Sequence, residues 1–156
     1  MEKVFHFDSS PDHYIADAAV VCCFDERIRQ VANKFLKRQQ ILHPDLVVVA
    51  GGAKTLASPR NDSERDFILD QIATSIRLHK ATRVFLMNHA DCGAYGGLKA
   101  FGGDPKREAE YHQQELQRAA DLVRSRFPEI DVQCFFVTFD GVFSAASGSS
   151  GQNAGD

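Results

Sequence analysis

The sequence predicts an α/β fold, with a central, mostly parallel β-sheet of about four strands flanked by helices. Two observations lead to this prediction. Four short apolar runs have the composition of strands that are buried on both faces. The segments between them carry apolar residues at spacings of three and four, which is the pattern of helices that connect parallel strands by right-handed crossovers.

The first quarter of the chain contains two predicted strands and one predicted helix. Residues 1–17 are polar and irregular, and the apolar run over 18–24 is the first strand. The apolar periodicity over 27–38 predicts a helix. The segment 43–45, which contains a proline, breaks the pattern before a second buried strand over 46–49.

The second quarter adds a helix and a third strand. Two glycines at 51–52 end the second strand, and a loop over 53–61 follows. A capping residue at 61 or 62 begins a helix that runs to about residue 79. The apolar run over 83–88 is the third predicted strand.

The remainder contains a glycine-rich loop, a long helix and a fourth strand. Asp104-Pro105 is a cap followed by a first-turn proline, and it predicts a helix to about residue 127. The fourth strand covers 132–139. Residues 1–143 are therefore predicted to form a single α/β domain, and 144–156 a flexible tail that is poor in apolar bulk.

The composition argues against several classes of protein. The chain has 156 residues, of which 44% are hydrophobic and 25% charged, with a net charge of −3. This balance gives no basic surface for nucleic acid. No apolar run reaches the ~20 residues of a membrane span, and the N-terminus has no apolar signal region. We therefore expect a cytoplasmic protein whose four cysteines stay reduced.

Two short motifs each follow a predicted strand directly. Cys23-Phe24-Asp25-Glu26-Arg27 follows the first strand, and His89-Ala90-Asp91-Cys92 follows the third. Parallel sheets bind ligands beyond the carboxyl ends of their strands, where the strand order reverses. If the first and third strands are neighbours, with the second on the other side of the first, both motifs share one crevice.

These motifs have the chemistry of a zinc site. Zinc prefers thiolate and imidazole ligands in a tetrahedral shell, and Cys23, His89 and Cys92 supply three of them. A catalytic site leaves the fourth position to water or substrate. Because alternate residues of an extended segment share a face, Cys23 points with Asp25 and Arg27, while Cys22 points away into the core.

The carboxylate of Asp25 has two possible roles. It can take the fourth zinc position and close the site. Alternatively, Arg27 can hold it off the metal through bidentate pairing, so that Asp25 accepts a hydrogen bond from zinc-bound hydroxide.

The spacing of these residues, together with the alanine and glycines at 50–52, resembles the signature of the β-class carbonic anhydrases over residues 15–100. The resemblance implies a β-carbonic-anhydrase-like fold and a zinc enzyme assembled from dimers. It also implies that Cys23, His89 and Cys92 bind zinc and that Asp25 and Arg27 form a catalytic dyad. The chain departs from the family at Val48-Val49, where the family usually has Arg-Asn.

The function implied by the resemblance is reversible hydration of carbon dioxide to bicarbonate, with zinc-bound hydroxide as the nucleophile. Two alternatives use the same ligands: a hydrolase of carbon disulfide or carbonyl sulfide, and a non-catalytic zinc domain with Asp25 locked on the metal. We expect a homodimer or higher homo-oligomer. The apolar strand around Phe135 and Phe136 would be covered either by the helices of its own chain or by the seam between two subunits.

For the remaining candidate residues, structural roles are the main expectation. Asp91 orients its loop or bonds to a zinc ligand, and Tyr95 lines the pocket or fills the loop. Cys134 belongs to the core. The histidines outside the motif are expected at the surface or in loops: His6, His13, His43, His79 and His112. A phosphatase loop from Cys23 to Arg29 is disfavoured, because Asp25 and Glu26 would repel phosphate.

Overall fold

The computed structural model describes residues 1–145, so that most of the predicted tail, 146–156, lies outside the described residues. In chain order the strands and helices are β1 Ala18–Cys22, α1 Glu26–Arg38, β2 Pro44–Val48, α2 Lys54–Ala57, α3 Asp62–His79, β3 Arg83–His89, α4 Pro105–Arg126, β4 Asp131–Val137 and β5 Val142–Ser144. Among these residues, no helix is long and apolar enough to span a membrane.

The strands form one five-stranded sheet in the order β2-β1-β3-β4-β5. The first four are parallel, and β5 is antiparallel to β4. Strand β1 lies between β2 and β3, which is the arrangement that lets the two motifs share one crevice. Because the chain winds outward from β1 on one side and from β3 on the other, the strand order reverses between these two strands.

Helices cover both faces of the sheet, as predicted. Alternate residues of β1 point to opposite faces: Ala19 and Val21 join the core beneath α2, α3 and α4, whereas Ala18 and Val20 join the core beneath α1. All four are fully buried. This two-sided burial is the reason that β1 has no alternation of polar and apolar residues.

Side-chain caps begin the three long helices near their predicted starts. The carboxylate of Asp25 caps α1, the amide oxygen of Asn61 caps α3, and the carboxylate of Asp104 caps α4 just before Pro105. Each cap accepts a backbone N–H that the first helical turn leaves without a partner. The cap of α1 is therefore also the predicted catalytic carboxylate.

Strand β2 differs from its prediction in place and in burial. It begins at Pro44, inside the segment predicted as a break, and it is an edge strand with Leu46 and Val48 each about half exposed. A proline is tolerated at the first residue of an edge strand, because its missing N–H interrupts no ladder there. The apolar run over 46–49 was therefore wrongly assigned to a buried strand.

Four short elements were missed by the sequence analysis. Helix α2 lies within the predicted loop 53–61, and the glycine-rich loop contains two short 3-10 helices at Gly93–Tyr95 and Leu98–Phe101. Strand β5 extends the sheet by pairing with the end of β4, and it includes Ser144, the first residue of the predicted tail.

Two histidines expected at the surface or in loops are packed instead. His112 is 0% exposed on the inner face of α4, so its surface assignment is wrong. His79 ends α3 and is partly buried, with its Nδ1 atom 2.8 Å from a carboxylate oxygen of Asp45. Cys134 is buried in the core, as expected.

Candidate metal centre

The structure brings Cys23, His89 and Cys92 together at the carboxyl end of the sheet. One ligand atom from each of these side chains lies within 4.8 Å of the other two. Cys23 follows β1 directly, His89 is the last residue of β3, and Cys92 lies one turn further on. Because β1 and β3 are adjacent and parallel, their ends deliver the two halves of the cluster to one place.

The imidazole of His89 presents a free nitrogen to this cluster. Its Nδ1 atom lies 2.9 Å from the carbonyl oxygen of Ala90, so Nδ1 carries the proton and donates it. The Nε2 atom then holds a lone pair, and it has no hydrogen-bond partner among the described residues although His89 is 1% exposed. A buried, unpaired acceptor fixed in this tautomer suits a metal ligand.

The contact between the two thiols of the cluster shifts their pKa values in opposite directions. Hydrogen bonds from Cys92 and from the backbone N–H of Gly51 lower the pKa of Cys23. The Gly51 N–H lies 3.4 Å from the sulfur atom of Cys23. The same contact with Cys23, together with burial, raises the pKa of Cys92. Both thiols can ionise together only beside a cation, and the donor set of two sulfurs and one imidazole fits zinc.

The turn after β2 needs a glycine, because its backbone passes very close to the residues around the cluster. Gly52 has a φ angle of +57°, and a Cβ atom there would lie 2.2 Å from the carbonyl oxygen of Met87 and 3.2 Å from the backbone nitrogen of Cys23. Only glycine fits this position. The turn therefore places the Gly51 N–H against the sulfur of Cys23.

Asp25 and Arg27 form a close ion pair at the rim of the cluster. A carboxylate oxygen of Asp25 accepts from the backbone N–H of Arg27 at 3.0 Å, and the other accepts from Nη2 at 2.7 Å. These side-chain and backbone hydrogen bonds from Arg27 lower the pKa of Asp25 to about 2. The Oδ2 atom of Asp25 lies 3.9 Å from Nε2 of His89. Of the two alternatives, this geometry is the one in which Arg27 holds the carboxylate.

The local backbone explains how these side chains converge. The extended backbone ends at Asp25, because α1 begins at Glu26. The side chain of Arg27 therefore reaches Asp25 from the first turn of the helix and not along a strand. Cys22 points away from the cluster, as expected from alternation. It is half-buried and packs against the core beneath α1.

Asp91 contacts the dyad, a role that sequence reasoning did not assign. Its Oδ2 atom accepts from Nη1 of Arg27 at 2.8 Å, and its Oδ1 atom accepts from the N–H of Leu98 at 2.9 Å. The expectation that Asp91 orients its loop is met by the second bond. The only sequence signal for the contact with Arg27 is the presence of a carboxylate within the His-x-x-Cys motif.

A buried polar network behind the cluster was also missed. The amide of Asn88 accepts from the N–H of Ala53 at 3.1 Å and donates to the hydroxyl of Tyr95 at 3.1 Å and to Nδ1 of His112 at 3.3 Å. The Tyr95 hydroxyl donates to Glu115 at 3.0 Å. Burial lowers the pKa of His112 to about 4, which keeps it neutral. The network thus ties β3, the turn before α2 and the turn after Cys92 to α4.

The cavities lie beside the cluster and not over it. One of about 480 Å³ touches the site region only through Ala50 and Ala94, and its wall includes Lys54 and Phe67. On the α1 side, a recess against Cys23 and His89 is too small to admit a water molecule. None of the five predicted site residues lines the cavity of about 480 Å³.

Comparison with known proteins matches most of the chain to one family and one fold. A family model described as "Putative carbonic anhydrase" matches residues 16–146. An uncharacterized protein of Rickettsia bellii is 26% identical over 148 residues, which cover 90% of this chain and 90% of the relative.

Similar solved structures share the fold at low sequence identity. Carbonic anhydrase from Streptococcus mutans has a TM-score of 0.61 at 14% identity and covers 90% of this chain and 88% of its own. A tetrameric β-carbonic anhydrase from Sordaria macrospora has a TM-score of 0.60 at 12% identity, with 88% and 84% covered. The apo form of a carbon disulfide hydrolase has a TM-score of 0.54 at 10% identity, with 92% and 88% covered.

Proposed function

Because the chain belongs to the family described as "Putative carbonic anhydrase" and has the β-carbonic anhydrase fold, we propose that it is a zinc lyase that interconverts carbon dioxide and bicarbonate. The observation that carries the proposal is the convergence of Cys23, His89 and Cys92 within 4.8 Å. Two sulfurs and an imidazole nitrogen are the ligands that zinc prefers. When bound, zinc polarises a water molecule and lowers its pKa to about 7.

In this proposal the protein residues hold and orient the reactants. Asp25 stays ionised, because Arg27 lowers its pKa to about 2, and it therefore accepts a hydrogen bond from the attacking water. Arg27 fixes the direction of that bond by donating hydrogen bonds to both carboxylate oxygens of Asp25. For Asp25 to become a fourth ligand, it would have to break these contacts with Arg27.

The proposal includes a homodimer or higher homo-oligomer in the cytoplasm. The tetrameric neighbour from Sordaria macrospora supports self-association. Phe135 and Phe136 are each 8% exposed, so packing within the chain already covers them. Phe24, next to Asp25, and Phe139, whose ring lies 5.4 Å from the guanidinium of Arg27, are 65% and 54% exposed, and a second copy would cover such apolar side chains. Light scattering of the purified chain measures the mass, and a monomer at all concentrations would refute this part.

The decisive experiment combines zinc analysis with stopped-flow carbon dioxide hydration on one sample, from neutral to alkaline pH. We expect one zinc per chain and a hydration rate that rises with pH. Asp25→Ala should keep the zinc and lose at least ~100-fold in rate, because it removes the group that orients the attacking water.

The matched control is Glu26→Ala, which removes an exposed carboxylate from the next position. It should hydrate carbon dioxide at the wild-type rate. A fully active Asp25→Ala variant would refute the dyad, and a purified chain without zinc would refute the metal site.

A sulfur analogue of carbon dioxide is the second candidate substrate. The carbon disulfide hydrolase with the same fold favours this candidate. Release of sulfide from carbon disulfide, without hydration of carbon dioxide, would select it. A zinc-loaded chain that acts on neither substrate would favour the non-catalytic zinc domain.

A further inference from the structure

The guanidinium of Arg27 is bound along two of its edges by two different carboxylates. Along one edge, Nε and Nη2 donate to Asp25 at 2.7 to 3.1 Å. Along the other, Nη1 donates to Oδ2 of Asp91 at 2.8 Å, and Nη2 donates to the Asp91 carbonyl oxygen at 3.0 Å. Arg27 is 48% exposed, so its orientation depends on these partners and not on burial.

Asp91 is itself held in an uncommon conformation. Its φ angle is +53°, in the left-handed region that non-glycine residues seldom adopt. The N–H of Leu98 fixes its Oδ1 atom at 2.9 Å. A Cβ atom at Gly97 would lie 2.8 Å from that oxygen, so the loop closes on the carboxylate only because residue 97 is glycine. The Asp91 carboxylate is thus aimed at Arg27 by its own loop.

Glu108 holds the same turn from the side of the core. It lies in the first turn of α4 and is 2% exposed. Its Oε1 atom accepts the backbone N–H of Asp91 at 2.7 Å. A buried carboxylate on a rigid helix therefore anchors the turn, and the charge of Glu108 is also favoured by the N-terminal end of the helix dipole.

We propose that Asp91 and Glu108 are positioning residues that fix Arg27 from outside and so keep the Asp25 carboxylate off the metal. This inference rests on the proposed zinc site. With both edges of Arg27 occupied, the guanidinium cannot follow Asp25 toward the cluster. Asp25 would have to travel alone and give up its charge-assisted bonds to Arg27. The chain from Glu108 to Asp91 to Arg27 therefore keeps the fourth metal position accessible.

Asp91→Asn tests this inference with little risk to folding. Asparagine tolerates the left-handed conformation, and its Oδ1 atom can still accept from Leu98. Its amide then turns an N–H donor toward the Nη1 donor of Arg27, so the bond from Nη1 is lost and only the bond from Nη2 to the backbone carbonyl oxygen remains. We expect Asp25 to move onto the metal and to compete with exogenous ligands.

The readout is anion binding to the cobalt-substituted full-length protein, followed by visible absorption during titration with azide. It requires a loaded site but no turnover. We expect azide to bind about tenfold more weakly to Asp91→Asn than to wild type, because the variant loses one charge-assisted hydrogen bond on Arg27, and a factor of ten corresponds to about 1.4 kcal/mol. In the Asp25→Ala background, Asp91→Asn should leave azide binding unchanged, since the competing carboxylate is absent.

Variants of Glu108 and a neighbouring residue complete the test. Glu108→Gln keeps an acceptor for the Asp91 N–H and should bind azide as wild type does. Glu108→Leu removes this acceptor and should weaken azide binding, as Asp91→Asn does. Glu110→Ala, at an exposed position of the same helix, is the control.

Unchanged azide binding in Asp91→Asn would overturn the inference, and so would a weakening that persists without Asp25. A wild-type chain that takes up no cobalt would refute the metal site and the inference together. A chain that binds cobalt and azide without hydrating carbon dioxide would refute the proposed activity alone.

Discussion

Asp25 combines a structural role with the proposed chemical role in one carboxylate. It caps α1 by accepting the backbone N–H of Arg27, and the side chain of the same Arg27 neutralises it. The cap fixes the position of the carboxylate, and the ion pair fixes its charge. Hydrogen bonds from both the backbone and the side chain of Arg27 hold Asp25 near the cluster without full burial, and 20% of the Asp25 side chain remains exposed.

The depressed pKa of Asp25 predicts a specific dependence of stability on pH. The pKa falls from an ordinary 3.8 to about 2 because of the bonds from Arg27, so the ionised form stabilises the folded state above pH 3.8. That contribution is lost as the pH falls through about 2. In metal-free protein, wild type should therefore exceed Asp25→Asn in stability near neutral pH, and the difference should vanish at the acid end.

Urea unfolding of both proteins at a series of pH values measures this difference. Asparagine retains the oxygen that caps α1, so the comparison isolates the charge. A stability difference that stays constant down to pH 2 would contradict the assigned ion pair.

At the scale of elements, the site is assembled from the ends of two adjacent strands and the turns that follow them. Strands β1 and β3 bring Cys23 and His89 together, and the turn at 51–52 presses an N–H against the sulfur of Cys23. The network around Asn88 ties that turn to the one after Cys92. The geometry of the cluster therefore depends on turns as much as on strands.

Gly52→Ala should damage this arrangement. The substituted Cβ would lie 2.2 Å from the Met87 carbonyl oxygen, and the positive φ adds backbone strain. We expect a loss of about 2 to 4 kcal/mol in the free energy of unfolding, in the range of other substitutions that force a backbone shift.

Gly93→Ala is the matched control, because its φ is not positive and no atom lies within 4 Å of an added Cβ. Urea denaturation should find it within about 0.5 kcal/mol of wild type. Equal stability of the two alanine variants would show that the turn relaxes freely.

At the scale of the molecule, the proposed zinc links segments that are distant in the chain. Its three ligands come from the ends of two strands and a following turn, which lie together only in the folded state. Binding to the folded state alone would stabilise it by about 4 kcal/mol at a free zinc concentration 1,000 times the dissociation constant. Chelation should therefore lower the melting temperature.

Two cysteine variants make this prediction specific. Cys92→Ala removes a proposed ligand, so chelator should no longer change its melting temperature. Cys134→Ala alters a buried core thiol, and it should keep the zinc-dependent shift. Differential scanning fluorimetry with and without chelator compares them, and a shift that survives Cys92→Ala would exclude this residue as a ligand.

The amino-acid sequence by itself determined the features that depend on neighbouring residues. Apolar runs and helical periodicity predicted β1, α1, α3, β3, α4 and β4, because strand and helix formation follow local patterns of side chains. The placement of two motifs at strand ends predicted that Cys23 and His89 would meet. That inference used the rule that ligands of parallel sheets lie where the strand order reverses, together with the condition that the first and third strands are neighbours, which the tertiary structure meets.

The tertiary structure alone decided the features that depend on contacts between distant segments. The edge position of β2, the addition of β5 and the burial of His112 follow from which segments pair and pack, and no local pattern encodes that. The second carboxylate on Arg27 belongs to the same class, because Asp91 lies 64 positions from Arg27. Polar contacts of this kind carry no periodicity, so only the assembled fold reveals them.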